Sequence, residues 1–190
     1  MKSIFFKSSF LGLVALLFLS NSSFAQGLFF ERIYDETLSQ ASYVIGDAQT
    51  KEVIVIDSKR DIDTYLQIAE KHNLKITKIT ETHIHADFLS GSRELAAVTK
   101  APLYLSDEGG KDWQYDFPHT GLKDGDKISV GSITIEVIHT PGHTPESLTF
   151  LVKDDTENPI KAMTGDLIFV GDVGRPGALE KAAGQIGSQE

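Results

Sequence analysis

Apolar positions in this chain follow two periods, and each assigns elements. Val53-Ile54-Val55-Ile56 is an unbroken apolar run inside Glu52–Ile56, the pattern of a strand covered on both faces. Phe29–Ile33 and Ala41–Ile45 precede it as shorter strand candidates. Asp61 to His72 switches to helical spacing, with Ile62, Tyr65, Leu66 and Ala69 on one side. Lys75–Thr80 is β-branched and predicts the next strand, so this strand–helix–strand order implies a parallel pair. Ser92–Thr99 predicts a second helix, capped by the Ser92 hydroxyl, and Leu103–Leu105 a short strand. Gly109 to Asp126 is polar and glycine-bearing and is expected to be a long loop. Ile128 and Val130, then Ile133, Ile135 and Val137, alternate across Gly131-Ser132, which predicts a hairpin with a glycine-first turn. Ser147–Val152 and Ile160–Met163 predict two further strands, and Ala178–Ala183 a helical turn or two. The sum is an α/β chain of α+β type with more strand than helix, best met by two packed sheets with helices outside.

Composition narrows the setting. Lys2 and Lys7, the apolar run Phe10–Leu19 and the small residues of Ser23-Phe24-Ala25 form the order of a secretory signal, which assigns residues 1–25 to a leader and 26–190 to one domain. The apolar run is shorter than the ~20 residues that a bilayer crossing needs. Losing Lys2 and Lys7 would take the formal charge from −9 to −11, a surface that disfavours nucleic acid and, after leader cleavage, anionic membranes. The expected location is therefore exported, periplasmic or secreted. The chain has no cysteine, which removes disulfides, thiolate nucleophiles and zinc–thiolate sites and leaves nitrogen and oxygen as metal donors.

Three segments carry candidate chemistry, each just after a predicted strand. Thr82-His83-Ile84-His85-Ala86-Asp87-Phe88 places imidazoles and a carboxylate at alternate positions where a loop can turn them onto one point. Thr140-Pro141-Gly142-His143-Thr144-Pro145 holds its histidine in a stiff turn, and Thr164-Gly165-Asp166 brings an aspartate off a strand end. Each alone has an ordinary reading as a polar turn. Among the other histidines, His72 and His119 are expected at the surface, and His139, on a strand, is expected to be structural. Trp113 and Tyr115 are expected to cap a minor core rather than line the site.

Together the three segments resemble the metallo-β-lactamase superfamily, and the phrases ETHIHADF, TPGHTPESL, TGD and GDVGRP resemble its persulfide dioxygenase (sulfur dioxygenase) branch. The resemblance covers Phe29 to about Leu179. It implies an αββα sandwich, here short at its C-terminal end, since the family continues past the GRP segment with a further strand and helices. Dinuclear hydrolases of the superfamily have histidine at position 88 and another near the C-terminus. Here position 88 is Phe88 and no histidine follows His143. What remains is His83, His143 and Asp166, which by resemblance hold one Fe(II) and are the catalytic set, as in two-histidine, one-carboxylate oxygenases. His85 and Asp87 are left to orient a ligand or bound water, with His85 as an extra ligand the rival assignment.

The implied substrates are O2 and a thiol persulfide such as glutathione persulfide, oxidised to sulfite. Arg175 is a candidate for the substrate carboxylate or for a salt bridge, and Gly177 stands where the family has aspartate. The alternatives are a hydrolase of glyoxalase II or lactonase type with one zinc, a truncated relative that only binds metal, and an adhesive exported domain. A homodimer is left open.

Overall fold

The computed structural model describes residues 27–174. The leader, Arg175 and the helical turns expected at 178–183 lie outside the described residues. The described residues hold twelve strands and two α-helices: β1 Leu28–Asp35, β2 Gln40–Asp47, β3 Glu52–Ile56, α1 Asp63–His72, β4 Lys75–Thr80, α2 Ser92–Thr99, β5 Leu103–Ser106, β6 Thr120–Leu122, β7 Lys127–Val130, β8 Ile133–His139, β9 Leu148–Lys153, β10 Pro159–Met163, β11 Ile168–Phe169 and β12 Asp172–Val173.

β1 to β6 form one sheet in sequence order, antiparallel from β1 to β3 and parallel from β3 to β6. β7 to β10 form a second, antiparallel sheet in the order β10-β9-β8-β7. β3 shows why its sequence is apolar throughout. Ile54 and Ile56 point into the core between the sheets with Ile135, Phe150 and Val152, while Val53 and Val55 point to the helices with Tyr65, Ile68 and Leu95. The described residues thus give three layers: helices, a six-stranded sheet and a four-stranded sheet. β11 and β12 form a small hairpin that exposes Ile168, Phe169, Val170 and Val173.

Two expectations are corrected. The stretch from Gly109 to Asp126 is not all loop. Residues Lys111–Trp113 make a 3-10 turn, and β6 pairs in parallel with β5, so that Leu122 enters the core. Gly121 makes this pairing feasible, because a Cβ there would run into the Asp107 carboxylate. Two of its three residues are Thr120 and Gly121, so β6 lacks an apolar period. Ser92 is not the cap of α2 either. Gly91 is, and the hydroxyl that takes the Ser92 N–H belongs to Ser90, at 3.0 Å. The Ser92 hydroxyl pairs instead with that of Ser58, 2.8 Å away. The turn at Gly131-Ser132 is as expected, with Gly131 at φ 60°.

Tyr65, fully buried on α1, connects this scaffold to the loop after β3. Its hydroxyl takes the Lys59 N–H at 2.8 Å and meets Ser42 Oγ at 2.6 Å. Burial pushes its pKa up to about 12 against the opposing pull of these bonds, so it stays neutral. Tyr65→Phe strands a buried N–H and is expected to cost about 1–3 kcal/mol in urea unfolding. An unchanged midpoint would count against this link.

Candidate metal centre

The loops that follow β3, β4, β8 and β10 meet at one edge of the two sheets. The β4 loop presents His83 and His85, the β8–β9 loop presents His143, and the turn after β10 presents Asp166. Two bonds stitch the histidine loops together. Leu148 N–H donates to Thr82 O at 2.7 Å, and Ile84 N–H donates to Glu146 Oε1 at 2.7 Å. His139, at the end of β8, braces the same loop, with Nε2 2.8 Å from the Pro145 carbonyl. Its structural reading fits.

His83, His143 and Asp166 present ligand atoms within 4.8 Å of one another, a group that can hold a metal ion. His143 Nε2 and Asp166 Oδ2 are 3.7 Å apart, too far for a hydrogen bond. Donors about 2.0–2.2 Å from one ion sit slightly closer than this to each other, so a bound ion would draw the three together. The His83 ring lies edge-on to His143 at 4.9 Å between centroids. His83 is buried, and that burial, helped by the charge of His85, lowers its pKa to about 3. It is therefore a neutral imidazole across the physiological range, the form a metal requires.

Its tautomer is fixed by an uninterrupted chain of donors. Asp57, at the end of β3, takes the Thr82 N–H at 2.6 Å and the Thr82 hydroxyl at 2.9 Å. Burial opposes its charge, but the bond and charge of His85 and the Thr82 N–H keep its pKa low. An ionised carboxylate only accepts, so the single Thr82 proton is committed to Asp57. Thr82 Oγ1, 2.9 Å from His83 Nδ1, must then accept the His83 Nδ1–H. This leaves the Nε2 lone pair for the ion. Gly165 of the Thr-Gly-Asp turn is required here. It sits at φ 52°, and a Cβ would strike the Thr82 hydroxyl and come within 3.2 Å of His83 Nδ1.

His85 belongs to a second group, with Asp57 and Glu81. Its Nε2 is 2.9 Å from Glu81 Oε2 and 3.3 Å from Asp57 Oδ1. Burial alone would lower its pKa, but the bonds to the two carboxylates outweigh that and raise it to about 10. Its Nε2 is thus taken up by the two carboxylates. Asp87 is exposed, makes no hydrogen bond to a histidine among the described residues, and raises the pKa of Asp166, which burial already pushes up. The acceptor that orients a ligand imidazole is therefore Thr82, backed by Asp57, rather than Asp87.

Phe88 stacks on His85 at 4.3 Å and lines two cavities at once. One, of about 450 Å³, holds Asp166, Asp87 and Arg32. The other, of about 270 Å³, is mostly apolar, with Leu89, Leu105, Tyr115 and Phe117. Tyr115 thus lines the site region as well as packing on the helix-side core. His119 is not a free surface residue. Its ring packs edge-on to Tyr115 and its side chain is only 12% exposed. His72 does sit at the surface, 3.9 Å from Glu31.

Asp57, Glu81 and Glu146 were given no role by sequence reasoning, and Thr82 only marked its segment. Asp57 carried a usable signal, an acid at the end of a strand apolar on both faces. Glu81 and Glu146 carried none, because their partners are distant in sequence or lie across the loop.

Residues 36–188 match the Metallo-beta-lactamase superfamily, and the chain belongs to it. It is 44% identical to a metallo-beta-lactamase of Staphylococcus aureus, whose crystal structure superposes with a TM-score of 0.77 over 82% of this chain and 48% of that one. It is 30% identical to Glyoxylase B2 of Dictyostelium discoideum, over 69% of this chain and 53% of the relative. It is 29% identical to the mitochondrial persulfide dioxygenase ETHE1 of Bos taurus, over 70% and 50%. The chain spans about half the length of the curated relatives it matches. The described layers are those of the metallo-β-lactamase fold, and the second helical layer of the αββα sandwich is not among them.

Two outcomes are expected. Thr82→Val removes the hydroxyl from the Asp57–Thr82–His83 chain and should weaken metal binding about 10- to 100-fold in chelator competition, with Thr82→Ser close to wild type. His85 has a folded-state pKa near 10, above its ordinary 6.5. Its protonated form therefore contributes stability that is fully present below pH 6.5 and lost as pH rises toward 10. Metal-free protein should unfold more easily across that window, and His85→Gln should flatten the slope in urea titrations at stepped pH.

Proposed function

We propose that the chain is a mononuclear non-haem Fe(II) persulfide dioxygenase, acting on glutathione persulfide or a similar thiol persulfide. The observation that supports this most is the donor set. Two imidazoles and one carboxylate converge, and the position beside them where a second metal would need an imidazole is the ring of Phe88. Such a set on one face of an ion suits Fe(II) oxygenase chemistry. The similarity to a persulfide dioxygenase supports the same reading.

His83, His143 and Asp166 would hold the iron. When bound, it supplies the electron transfer that makes O2 reactive toward sulfur, which redox-silent zinc does not. The rest falls to the chain. Thr82 and Asp57 hold His83 in the tautomer that presents Nε2. Glu146 keeps the two histidine loops in register. Phe88 covers His85 and closes the space between the cavities. Overall, the outer sulfur is oxidised to sulfite, O2 is reduced, water supplies the third oxygen and the thiol is released. The leader-like first 25 residues support a site of action outside the cytoplasm.

A hydrolase with one zinc is the second reading, favoured by the similarity to a glyoxylase. Metal analysis of anaerobically purified protein, with oxygen uptake on glutathione persulfide, separates the two. About one iron per chain is expected, with uptake abolished in His83→Ala and Asp166→Ala. One zinc, no uptake and thioester hydrolysis would replace the dioxygenase with the hydrolase.

A further inference from the structure

The larger cavity has one feature the metal centre does not use. β1 alternates Phe30, Arg32 and Tyr34 on one face. Phe30 packs on the core between the sheets, so this face looks inward, and Arg32 occupies it at the open end, opposite Tyr43 of β2. The Arg32 guanidinium lies over the Tyr34 ring, 4.5 Å from its centroid. Among the described residues it makes no ion pair and no hydrogen bond. It lines the same cavity as His85 and Asp166.

Arg32 is exposed on β1, the edge strand of the six-stranded sheet, so its guanidinium is open to a solute entering the cavity. The carboxylates lining the cavity are Asp57, Asp87 and Asp166. Asp57 is already bound to Thr82 and His85. The cavity lining therefore combines metal-binding groups with a single guanidinium, which sits two strands from the end of β3 through the register Arg32, Tyr43 and Ile56. Stacking on Tyr34 fixes the plane of the guanidinium and leaves its N–H edge free, the arrangement that receives a carboxylate through two parallel bonds.

We propose that Arg32 is the residue that reads the substrate's carboxylate, and that the substrate is an acidic low-molecular-weight thiol persulfide spanning the cavity, sulfur toward the metal centre and carboxylate on Arg32. The substrate class rests on the dioxygenase reading above. The carboxylate site does not.

The test has a binding arm and a turnover arm, both on metal-loaded protein. In calorimetry, S-methylglutathione, which cannot be oxidised as a persulfide, should bind more tightly than its diethyl ester. Arg32→Gln should weaken the acid about 10- to 100-fold, the range of a charged hydrogen-bonded pair, and remove the preference over the ester. Arg32→Lys, with charge but no fork, should fall between. In turnover, the wild type should prefer glutathione persulfide to the persulfide of neutral 2-mercaptoethanol, and Arg32→Gln should bring that ratio close to one through a raised KM. Equal affinity of wild type and Arg32→Gln for S-methylglutathione, or no binding by the wild type, overturns the assignment of Arg32. Arginine-dependent binding without oxygen uptake on any persulfide keeps the carboxylate site and removes the dioxygenase.

Discussion

Asp57 is a carboxylate withdrawn from water at the end of the central strand β3, and much of the site is arranged around keeping it there. A buried, unpaired carboxylate costs several kcal/mol. Asp57 avoids this by taking the Thr82 N–H, the Thr82 hydroxyl and the His85 N–H together, all from the loop after β4. It does so from a left-handed conformation, φ 55°, that a non-glycine residue adopts at some cost. The loop bearing two histidines is thus docked onto the neighbouring parallel strand by side-chain bonds, where a hairpin would have used backbone bonds alone. The same contacts set the tautomer of one imidazole and the charge of the other.

The parts of the fold that the sequence made legible are those with an unambiguous period. β3 showed its two covered faces in four consecutive apolar residues, and the β7–β8 hairpin showed its turn in Gly131-Ser132. The three ligand segments were legible because each combines a donor with a stiff turn at a strand end. What escaped lacked either signal. β6 contributes one apolar side chain, Leu122, and pairs in parallel with residues sixteen positions earlier, a contact that no local period reports. The capping hydroxyl of α2 lay one residue ahead of the helix cap, on Ser90, where spacing rules do not look. Glu146 acts 62 residues away in sequence, on the Ile84 N–H. Such cross-loop bonds exist only once the sheets are stacked.

The site separates two tasks that the fold could have merged. Holding an ion falls to His83, His143 and Asp166, which come from three loops and meet only when both sheets are in place. Orienting those donors falls to Asp57, Thr82 and Glu146, all buried, whereas His143 and Asp166 are only partly so. This depth order has a physical basis. Asp57 and Thr82 take their bonds from protein partners, and burial raises the pKa of Glu146, so these groups sit away from solvent. Asp166 and His143 must remain reachable, and their side chains are 41% and 30% exposed.

Phe88 and His85 form the shared wall of a charged cavity and an apolar one, and of the two only the Phe88 ring is free of polar partners. With the ring in place, a molecule approaching the metal centre meets two spaces, one on either side of it. A residue with a smaller side chain at this position would widen the space beside the same donors. The range of sizes admitted could then change without any alteration to the ligands, which is a short evolutionary distance between a narrow specificity and a broad one.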